Sequence, residues 1–104
     1  MNLEDILAET GYPVSSVPFT DTATSYITYH MVSETDTLFG DGEAQAAEGL
    51  YSVDFFIKGS WRTAVDAIVS KLKESGYLVQ SVGPEIYERD TKYYHIPILI
   101  LEDI

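Results

Sequence analysis

The segment "LYSVDFFIK" alternates in character from one residue to the next. Tyr51, Val53, Phe55 and Ile57 fall on one side, Ser52, Asp54 and Lys58 on the other, and Phe56 is the one apolar residue of the polar side. "SYITYHMVS" alternates in the same way, with Ile27, Tyr29 and Met31 opposed to Tyr26, Thr28, His30 and Val32. A period of two places successive side chains on opposite faces of a strand, so both segments read as strands with one face toward a core. Matching the apolar faces in an antiparallel pair sets Tyr29 opposite Val53 and Ile27 opposite Phe55. Carried outward, that register sets Phe39 against Glu43 and leaves Gly40-Asp41-Gly42 as a three-residue loop. The result is a long hairpin whose distal half, residues 33 to 49, holds five acids, no base and few large apolar side chains. Such an arm has little surface to bury on its own and is expected to gain order only against a neighbour.

Period three-to-four patterns flank this hairpin. Asn2 suits the cap of a short helix through Glu9, with Leu3, Ile6 and Leu7 on one side, Glu4 and Asp5 in its first turn and Gly11 after its end. Pro13 and Pro18 then hold the chain extended. Ser60 is placed to cap the main helix, along which Trp61, Val65, Ile68, Val69 and Leu72 recur. Lys71 and Lys73 sit near its negative end and Gly76 terminates it. Two short extended pieces, "YLVQSVG" and "PEIYER", precede a turn at Arg89-Asp90-Thr91 and a closing strand, "KYYHIPILIL". Pro97 has no amide proton, which favours an edge or a bulge for that strand. Both of its faces are apolar, Tyr94, Ile96, Ile98 and Ile100 on one and Tyr93, His95, Pro97, Leu99 and Leu101 on the other. One layer of helices covers only one face, so the spare face is expected to meet another surface. The order α-β-β-α-β-β predicts a single α+β domain over residues 1–104: an antiparallel sheet with a long hairpin arm, and the main and N-terminal helices packed on one face.

Composition narrows the function classes. Hydrophobic residues make up 45% and charged residues 22% of 104, which favours a folded domain over a disordered chain. Seventeen Asp and Glu against six Lys and Arg leave a formal net charge of -11, which disfavours a groove that neutralises phosphates. The spread of acids reads first as a solvated surface. A DNA-mimicking face and a lumen that repels passing DNA are two other readings. The absence of cysteine excludes disulfide and thiolate chemistry. The N-terminus has no basic start or apolar run of a secretory signal, and no apolar stretch approaches the ~20 residues of a membrane span, so no membrane is expected and the cytosol, or a particle assembled there, is the expected place.

A reaction centre is not legible. His30 and His95 are the only histidines, both on expected strands, and no serine elbow or thiol joins them. "ETDTLFGDGE" is acid-rich but out of register with a calcium loop, and no phosphate-binding glycine loop occurs. The expectation is no enzyme, no metal and no cofactor. A small hydrolase reading returns only if His30 and His95 converge in a pocket with carboxylates.

Read in order, "ILAETGYPV", "YITYHMVSETDTLFGDG", "LYSVDFFIKGSW", "TAVDAIVSKLKESGYLV" and "EIYERDTKYYHIPILIL" resemble the small tail-terminator, or tail-completion, proteins of long-tailed phages and prophages of Gram-positive bacteria. The resemblance covers nearly the whole chain. It implies a structural neck protein of the virion, assembled in the cytoplasm of the bacterial host. In that family a ring, commonly a hexamer, caps the tail-tube protein, joins it to the head-completion protein, and lets DNA only pass through its lumen. It implies no enzyme and no cofactor. The candidate interface residues are Phe39 and Asp41 in the arm, Phe56 on the polar side of its strand, and Leu99 and Leu101 on the spare face of the closing strand. The competing expectation is an acidic binding protein that mimics DNA and occupies a basic partner.

Overall fold

The computed structural model describes residues 2–15, 24–36 and 47–103. Its elements are α1 (Leu3–Ala8), β1 (Val14–Ser15), β2 (Ser25–Asp36), β3 (Ala47–Ile57), α2 (Arg62–Glu74), β4 (Leu78–Val82), β5 (Ile86–Tyr87) and β6 (Tyr94–Asp103). The fold is α+β, one six-stranded sheet ordered β1-β2-β3-β6-β4, with β5 on the same edge of β6 as β4. All pairings are antiparallel except that of the short β1 with β2.

The expected hairpin register holds near the core, with Ile27 opposite Phe55 and Tyr29 opposite Val53. It slips by one between Met31 and Ser33, so that Ser33 pairs with Leu50 and Asp36 with Ala47. An extra residue at Val32 makes the count of the two strands unequal, and the derivation of a loop at Gly40-Asp41-Gly42 loses its basis. The loop itself lies outside the described residues. Residues 33–36 and 47–49 of the expected arm are strand, and β3 also pairs with β6 there, Glu48 with Asp103 and Gly49 with Glu102. The backbone of β3 is thus paired on both of its edges in this part of the hairpin.

The helices seal one face. Asn2 Oδ1 accepts the Asp5 amide at 2.9 Å, capping α1 as anticipated. At α2 the expectation of Ser60 as the cap fails: Trp61 holds that position, with no side-chain capping bond, and Ser60 is exposed. Trp61 packs against the core, and this contact sets the start of the helix one residue later. Its carbonyl accepts the Val65 amide at 2.9 Å. Gly76, at φ +96°, closes the helix with Tyr77 N–H donating to the Leu72 carbonyl at 3.1 Å and Gly76 N–H to that of Lys73 at 3.1 Å. Leu3, Ile6, Leu7, Val65, Ile68 and Leu72 pack onto Ile27, Val53, Phe55, Ile96, Ile98 and Ile100 of the sheet. Lys71 of α2 is ion-paired with Glu9 just beyond α1.

β6 is central, not an edge, so the edge expected from Pro97 is not observed. On one side β6 runs beside β3. On the other, β4 and β5 succeed one another, and the break between them falls at Pro97, whose carbonyl accepts the Gly83 amide at 2.7 Å. The missing donor of the proline thus faces an interruption in the neighbouring strands, where a ladder bond is dispensable.

Candidate functional site

Among the described residues no helix covers the second face of the sheet. Register sets four rows across it: Tyr26, Phe56, His95 and Ile86; Thr28, Asp54 and Pro97; His30, Ser52, Leu99 and Ser81; then Ser33, Leu50, Leu101 and Leu78. An aromatic end and a leucine end flank a polar centre.

At the aromatic end, Phe56 lies between two rings from adjacent strands. Tyr26 stacks on it at 4.6 Å and 11°, His95 at 4.3 Å and 15°. The buried Tyr93 meets Tyr26 edge-on at 5.3 Å, and Lys58 Nζ lies 4.8 Å from the centre of the Tyr93 ring. Rings in one cross-strand row cover each other's faces, which leaves Phe56 only half-buried without a second layer. Burial, then the neighbouring Tyr93 and Glu88, raise the Tyr26 phenol above its ordinary 10.0.

The centre is organised by Asp54, a carboxylate only 7% exposed on a face that has no lid. Its Oδ1 lies 2.8 Å from His95 Nε2, its Oδ2 lies 3.6 Å from His30 Nδ1, and Ser52 Oγ donates to it at 3.2 Å. The charge is therefore shielded by its row neighbours and held by hydrogen bonds from β3 and β6, with the His30 ring of β2 close by. The two histidines do converge on a carboxylate. However, Ser52 and His95 both address Asp54, so the carboxylate stands between hydroxyl and imidazole, whereas a serine relay needs the imidazole between the other two. Among the described residues no group of three or more His, Asp or Glu side chains is arranged to hold a metal ion, and no helix is long and apolar enough to cross a membrane.

Of the sequence-derived interface residues, Phe56, Leu99 and Leu101 share this face, half-buried, while Phe39 and Asp41 lie outside the described residues. Leu101 is flanked by Leu50 and by Leu78, the latter 64% exposed. Sequence reasoning set Asp54 and His30 on the polar side but missed the cluster with His95, because it did not pair β3 with β6. The signal available was parity alone: Asp54 and His95 both lie on the second faces of their strands.

No protein-family model matches this chain, and no curated protein matches it. Among solved structures, a chain of the "Virion of native gene transfer agent (GTA) particle" is similar over 97% of this chain and 85% of its own, with a TM-score of 0.55 and 8% sequence identity. The two chains share a fold.

Proposed function

We propose that the protein is a structural subunit of a virion, a tail terminator that assembles as a ring at the end of the tail tube. The fold shared over 97% of its length with a chain of a gene transfer agent virion carries the reading. The unlidded face of the sheet supports it, since Leu50, Leu78, Leu99 and Leu101 form an apolar strip there that a subunit contact would cover. Each Å² of apolar surface so covered favours association by about 25 cal/mol, offset by the entropy of bringing subunits together. The negative charge suits a lumen through which DNA slides without being held. In this role the chain contacts copies of itself, the tail-tube protein on one side and a head-completion protein on the other, and performs no chemistry.

Native mass measurement of the purified chain, alone and with tail-tube protein, tests the reading. A ring, or a defined complex with the tube, is expected. Leu99→Ser with Leu101→Ser should keep the subunit folded and abolish the ring, and phage carrying both changes should make tails of uncontrolled length or tails that fail to join heads. Normal neck assembly after deletion of the gene would refute the terminator role.

A further inference from the structure

The large apolar side chains left exposed among the described residues gather at two places: Leu78, Val82, Ile86 and Tyr87 on β4 and β5, and Met31 and Val32 on β2. Both places are edges of the sheet. β4 and β5 flank β6 on its side away from β3, and among the described residues no strand pairs with their outer side. At the other edge β1 pairs with Ile27 and Thr28, and among the described residues no strand pairs with the outer side of β2 from Tyr29 onward. A bare edge presents amide and carbonyl groups that can take up another strand, and proteins commonly guard such edges with charged side chains. β4, "LVQSV", has none, in a chain of which 22% is charged. Its one guard is the register shift between Val79 and Ser81.

The rows on the helix side of the sheet run out at these edges. Tyr29, Val53, Ile98 and Val82 form one row, and Met31, Tyr51, Ile100 and Val79 form the next. Each is buried or half-buried along its length except at one end, Val82 at the β4 edge of the first and Met31 at the β2 edge of the second. β2 and β4 stand three strand spacings apart, about 14 Å at ~4.8 Å each, so the two edges of one copy do not reach each other. β2, β3, β6 and β4 alternate in direction, so β2 and β4 run opposite ways. A second copy set beside the first by rotation about an axis along the strands keeps those directions, and its β2 then meets β4 antiparallel, as all the long strands of this sheet meet. At the same level, Tyr29 of the second copy continues the row that ends at Val82, and its Met31 continues the row that ends at Val79.

We propose that the outer edge of β4 takes up β2 of a second copy of this chain, so that the sheet and its apolar rows run on from subunit to subunit. Met31 and Val82, exposed in the single copy, are covered at the junction. The leucine strip of the open face ends at the same edge, at Leu78, which the added strand flanks. Every copy supplies one edge of each kind. The contact is therefore heterologous, and such a contact makes a ring where its rotation closes. This proposal rests on the self-assembly in the proposed function and names the strands that make it.

Thiol crosslinking tests it, because the chain has no cysteine of its own. Met31→Cys and Val82→Cys, each at an exposed position, are treated with a short bismaleimide at concentrations where native mass measurement shows the wild type assembled. The double variant should give a ladder of crosslinked species that ends at the ring size. An equal mixture of the two single variants should give dimers and nothing larger, and each single variant alone should give none. Leu78→Lys/Val82→Lys, folded by circular dichroism, should form no ring where the wild type does; if it does not fold, the cysteine variants decide. Amide exchange along β4 should slow on assembly. Dimers from Val82→Cys alone would mean that two β4 edges meet, and would overturn the proposal. Rings in which the double variant does not crosslink, or rings of the folded Leu78→Lys/Val82→Lys variant, would overturn it too and leave ring formation standing. Slower exchange in β4 only after tail-tube protein is added would give the edge to that protein, against the proposal. A wild type that stays monomeric at every concentration would remove the self-assembly itself.

Discussion

Within β3, neighbouring residues solve opposite problems. Val53 and Phe55 point beneath α1 and α2 and are fully buried by other elements, whereas Ser52, Asp54 and Phe56 point to the face without helices and are shielded by their own cross-strand neighbours. The first face is closed by a second layer of structure. The second is closed, as far as it is closed at all, by side chains that cover each other within one layer. Burial on the first face is thus bound to the integrity of the fold, while burial on the second is incomplete and can be finished by another protein.

The largest contrast comes from placing one carboxylate on each side. Asp54 is held by Ser52, His95 and His30, whereas Val53 is 0% exposed among apolar partners. Val53→Asp forces an unpaired charge into that core, at a cost of several kcal/mol, comparable with the ~5–15 kcal/mol stability of an ordinary domain. The variant should be unfolded by circular dichroism at room temperature. A cooperative melt like that of the wild type would show that the helices do not seal this face.

Removing the native carboxylate should do less. Asp54→Ala leaves His95 Nε2 and Ser52 Oγ without their acceptor, a loss of about 1–3 kcal/mol when such donors stay dry. The side chain of His95 is 23% exposed, which lets water replace part of the bond and points to the lower half of that range. Asp54→Asn keeps an acceptor oxygen and should lose less again. Chemical denaturation of the two variants checks the order, and equal losses would place the effect in packing rather than in the hydrogen bonds.

Leu99 and Ile98, adjacent on β6, give a third measure. Ile98 is 0% exposed beneath the helices, and Ile98→Ala should cost about 2–5 kcal/mol through the cavity it leaves. Leu99 faces the other way with no second layer over it, so Leu99→Ser should cost the isolated subunit about 1 kcal/mol or less. Thermal melting of the monomer separates them. A Leu99→Ser loss as large as that of Ile98→Ala would mean that the second face is core already and has nothing left to offer a partner.

The sequence was most readable where one face is apolar and the other is not. Ile27, Tyr29, Val53 and Phe55 defined the hairpin register because a slip would have exposed all of them. The bulge was hidden because Met31 and Val32 are consecutive apolar residues, 47% and 50% exposed, and neither face selects one of them. Pro97 misled because its rule concerns its own missing donor, while the tolerance for it comes from the break between β4 and β5, far away in sequence. Ser60 misled because side-chain capping is a local preference, outweighed by the packing of Trp61. The His30-Asp54-His95 cluster needed three strands in register, and only the β2–β3 pairing was legible in advance.

The smallest effect separates the faces by titration. Burial is the leading cause that raises the phenols of Tyr26 on the open face and of Tyr29 and Tyr77 on the helix side above 10.0; nearby acids or tyrosines add to it. A raised folded value means that the native state keeps its proton after the unfolded chain has lost it. The stabilisation is therefore fully present below pH 10 and is lost as pH rises through the folded values. Lys71, raised above 10.5 first by its hydrogen bond to Glu9, acts in the same direction at still higher pH. Stability should be flat in this respect from pH 7 to 9 and decline beyond 10. Tyr26→Phe and Tyr77→Phe should each soften that decline slightly, since solvent screens both groups. On assembly the two should part: covering the open face deepens the burial of Tyr26 and leaves Tyr77 as it was. Ultraviolet titration of the Tyr77→Phe and Tyr26→Phe variants, as subunit and as ring, reads the difference, and a Tyr26 signal unmoved by ring formation would place the subunit contact away from the aromatic end of the face.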